Sequence, residues 1–155
     1  HELIARGFQV RVVFLMRDPV KRCVSAMRMH CRKYGIVAPD ENSLLKELYS
    51  SADFEMRTRY EQTLEAIDEA FPPNEVMFGF YEELFSYPTI ESICSFLELE
   101  FVAPDFEKKI NTDKSRFELS SHLLDEVAKH YESTYQAIAA RFGRERIRAI
   151  WPYCD

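Results

Sequence analysis

Glycine is scarce in this chain. Only Gly7, Gly35, Gly79 and Gly143 occur among 155 residues, and they never cluster. A phosphate-cradling GxxxxGK[ST] turn is therefore absent from these residues. The four cysteines (Cys23, Cys31, Cys94, Cys154) form no CxxC pair and have no histidine at ligand spacing, which excludes the usual zinc patterns. No apolar run approaches the roughly 18 residues that a membrane-spanning helix needs, and no signal-peptide layout is present. Positive charge is outweighed: the net charge of −6 argues against a general nucleic-acid binder. Internal repeats and low-complexity segments are also missing.

What is present is enough apolar matter for a packed core, with 46% hydrophobic and 14% aromatic residues. The length suits one domain, or part of one. Cysteines in a chain with this much core read as small buried hydrophobes, Cys23 and Cys94 above all, and a reducing, cytoplasmic setting is expected. Charge is unevenly spread. Residues 1–37 carry a net +6 and the remainder −12, which points to a local anion site on an acidic protein.

Phe8–Met16 is nearly all apolar or β-branched, the pattern of a strand buried on both faces of a parallel sheet, with Arg11 near its start. Asp18 is a good N-cap and Pro19 a good first helical residue, so a helix should run from there to about Lys33, ended by Tyr34-Gly35. After a polar loop at 39–43, a short helix is expected near Ser43–Tyr49. A longer one should follow over Ala52–Phe71, with Met56, Tyr60, Leu64, Ile67 and Phe71 on one apolar face. Pro72-Pro73 stops it. Glu75–Phe80 reads as a second strand leaving through a Tyr81–Leu84 turn, and Thr89–Leu97 as a helix. Residues 104–120 look irregular. Ser121–Phe142 should be the longest helix, with Leu124, Val127, Tyr131, Tyr135, Ile138 and Phe142 inward and Gly143 as its cap. A last short helix carries Ile147, Ile150 and Trp151.

Strands separated by long helices predict parallel pairing and an α/β layered fold. Two strands are too few for a stable parallel sheet. Moreover, the chain opens on His1 and enters a strand almost at once. The expectation is a single domain over 1–155 that is the C-terminal portion of a larger one, with further strands upstream.

Ligands of open α/β sheets bind beyond the carboxyl ends of the strands, and Arg17 occupies such an end. Its planar fork can hold a phosphate through two parallel charge-assisted hydrogen bonds. Ser25, one turn beyond Arg22 on the same helix face, can offer a hydroxyl to the same anion. The alternative is that Arg17 pairs with a carboxylate and Ser25 fills a helix contact.

The segment Arg17-Asp18-Pro19-Val20-Lys21-Arg22-Cys23-Val24-Ser25 resembles the 3′-phosphate motif of the sulfotransferases: strand, Arg-Asp-Pro, a second arginine, then serine. Three later features agree in order. Arg59-Tyr60 with Leu64 resembles the Tyr-x-x-x-Leu helix of the bacterial and heparan-modifying members. Val76–Phe80 with Tyr81-Glu82-Glu83-Leu84 resembles their strand and turn. Phe96-Leu97 resembles their Phe-Leu-Gly-Leu helix end, although Glu98 stands where a glycine is usual.

The resemblance implies a P-loop-like, three-layer α/β fold, helix-rich toward its C-terminus, of which only part of the sheet lies in this chain. It implies 3′-phosphoadenosine 5′-phosphosulfate (PAPS) as donor of a sulfuryl group to a hydroxyl or amine acceptor, with no metal. Arg17 and Ser25 would grip the 3′-phosphate, and Tyr81 would lie near the adenine or serve as a core aromatic. Lys114 and Arg116 would close on the phosphate, unless they sit on a solvated loop. The family's phosphosulfate loop, Gly- or Ser/Thr-rich with a lysine, has no counterpart here, so these residues alone are not expected to catalyse transfer. The general base is unassigned. His1 is the one histidine upstream, while His30, His122 and His130 read as helix-surface or core residues. Residues Gly35–Ser51 fall where the acceptor cleft varies. Two other readings compete, a P-loop kinase of small molecules and a non-catalytic α/β interaction module.

Overall fold

A computed structural model describes residues 5–35, 40–108 and 118–154. In chain order the elements are β1 (Val12–Met16), α1 (Pro19–Tyr34), α2 (Glu41–Leu48), α3 (Ala52–Thr58), α4 (Tyr60–Ala70), a 3-10 turn (Pro73–Glu75), β2 (Val76–Phe80), α5 (Tyr81–Leu84), α6 (Tyr87–Leu97), α7 (Ser121–His130), α8 (Glu132–Phe142) and α9 (Arg144–Ile150). They fall into two compact units, His1–Arg17 with Gln62–Ile110 and Asp18–Glu61 with Asn111–Asp155.

The first unit holds the sheet. β1 and β2 pair in parallel, with Val12 opposite Val76 and Met16 opposite Phe80. The helix-separated strands thus pair as the sequence predicts, in a helix-rich α/β architecture. β1 is shorter than expected: residues 8–11 lie outside it and Phe8 is exposed. Nor is the strand buried on both faces, because only Met16 and Phe80 are fully covered while Leu15 is exposed. With two strands among the described residues, each face has few neighbours to cover it. Phe14 and Phe78 meet edge to face at 6.5 Å between ring centroids.

Arg11, just before β1, bonds the Phe96 carbonyl and the Glu98 carboxylate beyond the end of α6. That end is a Schellman-type close, in which Leu99 N–H donates to the Cys94 carbonyl and Glu98 N–H to that of Ser95. The geometry forces Glu98 to φ +56°, the left-handed region that an L side chain resists. A glutamate therefore occupies a position built for glycine. Its carboxylate gains the Arg11 ion pair, which is worth little at 71% side-chain exposure. Glu98→Gly should consequently be as stable as the parent or more so. Glu98→Ala keeps the strain and loses the pair, so it should lie about 1 kcal/mol below the glycine variant in urea denaturation.

The second unit is helical. α1 spans Pro19–Tyr34 because its ends are written locally. Asp18 accepts from the Lys21 amide at 2.9 Å, Pro19 opens the first turn, and Gly35 closes it at φ +62°. α2 begins earlier than predicted, since Asp40 caps it through the amides of Asn42 and Ser43. Trp151 is fully buried, packed against Tyr60 (6.2 Å) and Tyr135 (5.8 Å). Cys23 is buried too, and burial pushes its thiol up to about 11.

Two helices predicted as continuous are each broken. Ala52–Phe71 divides at Arg59, whose ψ of +76° leaves the helical region. The break resets the register, so Phe54 and Thr58 turn inward while Met56, expected in the core, is 67% exposed. Ser121–Phe142 divides at Tyr131, with φ −100° and ψ +19°. Before that break Leu123 is buried and Leu124 only half-buried, whereas Tyr131, Tyr135 and Ile138 face inward as the stripe predicts. Tyr81–Leu84, expected as a turn, closes into one turn of helix, and α6 starts two residues early at Tyr87.

Candidate nucleotide-binding site

The parallel register decides what meets at the carboxyl edge of the sheet. Met16 pairs with Phe80, so the next residue of each strand, Arg17 and Tyr81, emerges beside the other. The Arg17 guanidinium lies over the Tyr81 ring, 4.4 Å from its centroid. That distance is a cation–π contact and orients the planar fork. Tyr81 in turn meets Phe85 edge to face at 5.2 Å. Arg17 is half-buried and Tyr81 partly exposed, an arrangement in which a guanidinium edge can receive a phosphate while an aromatic holds its face.

Ser25 belongs to the second unit, half-buried on α1 seven residues after Asp18. The corner that starts this helix is heavily tied down. Asp18 is fully buried; its Oδ1 accepts from Lys21 N–H and its Oδ2 accepts from the Tyr135 hydroxyl at 3.0 Å. The same hydroxyl lies 3.4 Å from the Val20 amide, which donates to it. Burial, then the Asp18 charge, push the Tyr135 phenol far above its ordinary value, so it stays a protonated donor. Nothing in the sequence pairs residues 117 positions apart, and the helical stripe identifies Tyr135 only as core.

Arg22, the second arginine of the motif, donates from Nε to the Arg57 carbonyl at 3.1 Å and so ties α1 to the last turn of α3. Lys114, Arg116 and His1 lie outside the described residues. His30 stacks near Tyr34 and His122 is exposed. His130 joins a network with Glu55 and Arg59: Glu55 Oε1 is 2.8 Å from both Arg59 Nη2 and His130 Nε2. These hydrogen bonds, Arg59 first and His130 second, hold the Glu55 carboxyl below its ordinary 4.5. A depressed carboxyl contributes stability above its unfolded value and loses it as pH falls through the folded one. The melting-temperature gap between the parent and Glu55→Gln should thus be widest above the ordinary carboxyl value and close as the solution is acidified through the lowered one.

Among the described residues no three His, Cys, Asp or Glu side chains gather as metal ligands. Another cavity in the second unit, about 790 Å³, mixes Asp125 and Glu132 with Lys129 and Arg144, so its charges offset.

A family model described as "Sulfotransferase domain" matches residues 7–137. The chain belongs to the sulfotransferase family. The match covers both strands, the Arg17–Ser25 segment and the helices through Tyr135. No curated protein and no solved structure matches this sulfotransferase chain significantly. Its family fold is P-loop-like α/β, in line with the parallel strand pair and the helix-rich remainder. The domain is one of transferases, and no described helix is long and apolar enough to cross a membrane.

Proposed function

We propose that this sulfotransferase chain serves transfer of a sulfuryl group from PAPS to a hydroxyl- or amine-bearing acceptor. Arg17 and Ser25 take the 3′-phosphate, Tyr81 sets the Arg17 plane at the adenosine end, and Lys114 and Arg116 close on the same phosphate. The observation that carries this reading is the strand-tip arginine stacked on Tyr81 inside the family match. Bound PAPS would supply the sulfuryl group; an acceptor oxygen or nitrogen forms the new S–O or S–N bond as the old S–O bond to the phosphate breaks. The acceptor proton passes to a base, and 3′-phosphoadenosine 5′-phosphate departs.

Catalysis of this kind rests on positioning and on charge stabilisation, which fits a site that needs no metal. The loop for the 5′-phosphosulfate has no counterpart among the 155 residues. We therefore place it in sequence preceding His1 and read these residues as the C-terminal part of the domain. Four free thiols suit a reducing, cytoplasmic compartment.

Calorimetric titration tests the assignment with three nucleotides. The 3′,5′-bisphosphate should bind at least about tenfold more tightly than adenosine 5′-phosphate, one strong charge-assisted contact in free energy. Equal affinities would discard the donor assignment. Tight magnesium–ATP binding would favour the kinase reading, and no nucleotide binding at all the interaction module.

A further inference from the structure

The second unit carries a pocket that the proposed reaction does not use. It lies where α1 meets α3 and has a volume of about 130 Å³. Arg22, Lys33 and Arg57 bring three positive charges to its wall, with the His30 imidazole beside them. Asp53 is the one carboxylate among the described lining residues, and it pairs with Arg57 at 2.9 Å. Spacing along α1 explains the convergence, since Arg22, His30 and Lys33 fall on one helical face.

Arg22 adds a second observation. Its Nε is spent on the Arg57 carbonyl, whereas its Nη1 nitrogen is buried and donates to no acceptor. A buried N–H without an acceptor is uncommon in native proteins and usually marks a missing partner. Size narrows the occupant. Drug-sized ligands fill roughly 300 Å³ or more, so 130 Å³ holds one oxyanion group with a little water and no nucleotide. Met29 and Tyr34, both exposed, flank the opening and offer apolar surface to whatever carries that group.

We propose that the α1–α3 pocket is a second anion site, which receives a single sulfate- or phosphate-sized group on Arg22, Lys33 and Arg57. Its lining residues do not include Arg17, and it does not depend on the nucleotide assignment. Lys33 supplies charge from α1 and Arg57 from α3, and Arg22 brings the buried nitrogen that lacks an acceptor.

The test follows guanidinium and amide resonances while sodium sulfate replaces sodium chloride at constant ionic strength, in an Arg17→Ala background that removes the strand-tip arginine. Saturable shifts should appear at Arg22, Arg57 and Lys33. Arg57→Gln and Lys33→Gln should each weaken sulfate at least fivefold while melting as the parent does, and Asp53→Asn should tighten it severalfold. Shifts that grow linearly with sulfate, or an affinity unchanged by both glutamine variants, would overturn the proposal. Glucose 6-sulfate and glucose 6-phosphate, each against glucose, separate the two sources. An ester that binds more tightly than inorganic sulfate assigns the pocket to a substituent on a carrier, and equal affinities assign it to the free ion.

Discussion

Asp18→Ala should lower the stability of the protein by about 2–4 kcal/mol, because two interactions disappear together. The Oδ1 cap on the Lys21 amide is worth roughly 0.5–2 kcal/mol at a helix start. Removing Oδ2 leaves behind a buried Tyr135 hydroxyl, and an orphaned buried hydroxyl costs about 1–3 kcal/mol. Asp18→Asn keeps a good cap and part of the second interaction, so it should cost about half as much. Tyr135→Phe deletes the donor alone. Because both side chains share one hydrogen bond, the double variant should cost less than the sum of the singles, and chemical denaturation of the four proteins measures that difference. Strict additivity would mean that the Asp18–Tyr135 bond contributes nothing.

Arg17→Ala should cost the 3′-phosphate preference about ten- to a hundredfold, the range expected when a bidentate, charge-assisted partner of a phosphate is removed. Binding of adenosine 5′-phosphate, which has no 3′-phosphate, should hardly change. Arg17→Lys retains a charge but not the fork, so it should fall between the two. A variant that unfolds would show in its melting curve, which separates a collapsed site from a missing donor.

How far the sequence reached differs between local and distant features. The ends of α1 were legible because Asp18, Pro19 and Gly35 each act within a turn of their own position. Parallel pairing was legible because a helical stretch separates two apolar runs. The stacking of Arg17 on Tyr81 was within reach as well, since each is the first residue after its strand and the register sets them side by side. The breaks at Arg59 and Tyr131 were not. Apolar spacing runs through both, and a backbone turn between helices leaves no mark when neither glycine nor proline makes it. The helix end at Leu97 was legible, with Glu98 standing where the resemblance puts a glycine, but the left-handed φ of +56° that this glutamate adopts was not. The Tyr135–Asp18 bond and the Arg22–Arg57 tie depend on which helices pack together, and periodicity within one helix says nothing of that.

Sulfuryl-donor recognition and the α1–α3 pocket stand on different residues, so either can fail alone. Arg17 and Tyr81 come from the strand ends and Ser25 from α1, while Lys33 and Arg57 line the pocket from α1 and α3. The variants that test one leave the other intact.

The most direct measurement is a thermodynamic cycle of the parent and Arg17→Ala against 3′-phosphoadenosine 5′-phosphate and adenosine 5′-phosphate. A guanidinium that grips the ribose phosphate predicts a coupling of about 1.5–3 kcal/mol between side chain and phosphate. A coupling indistinguishable from zero, with the parent still binding both nucleotides, would contradict it.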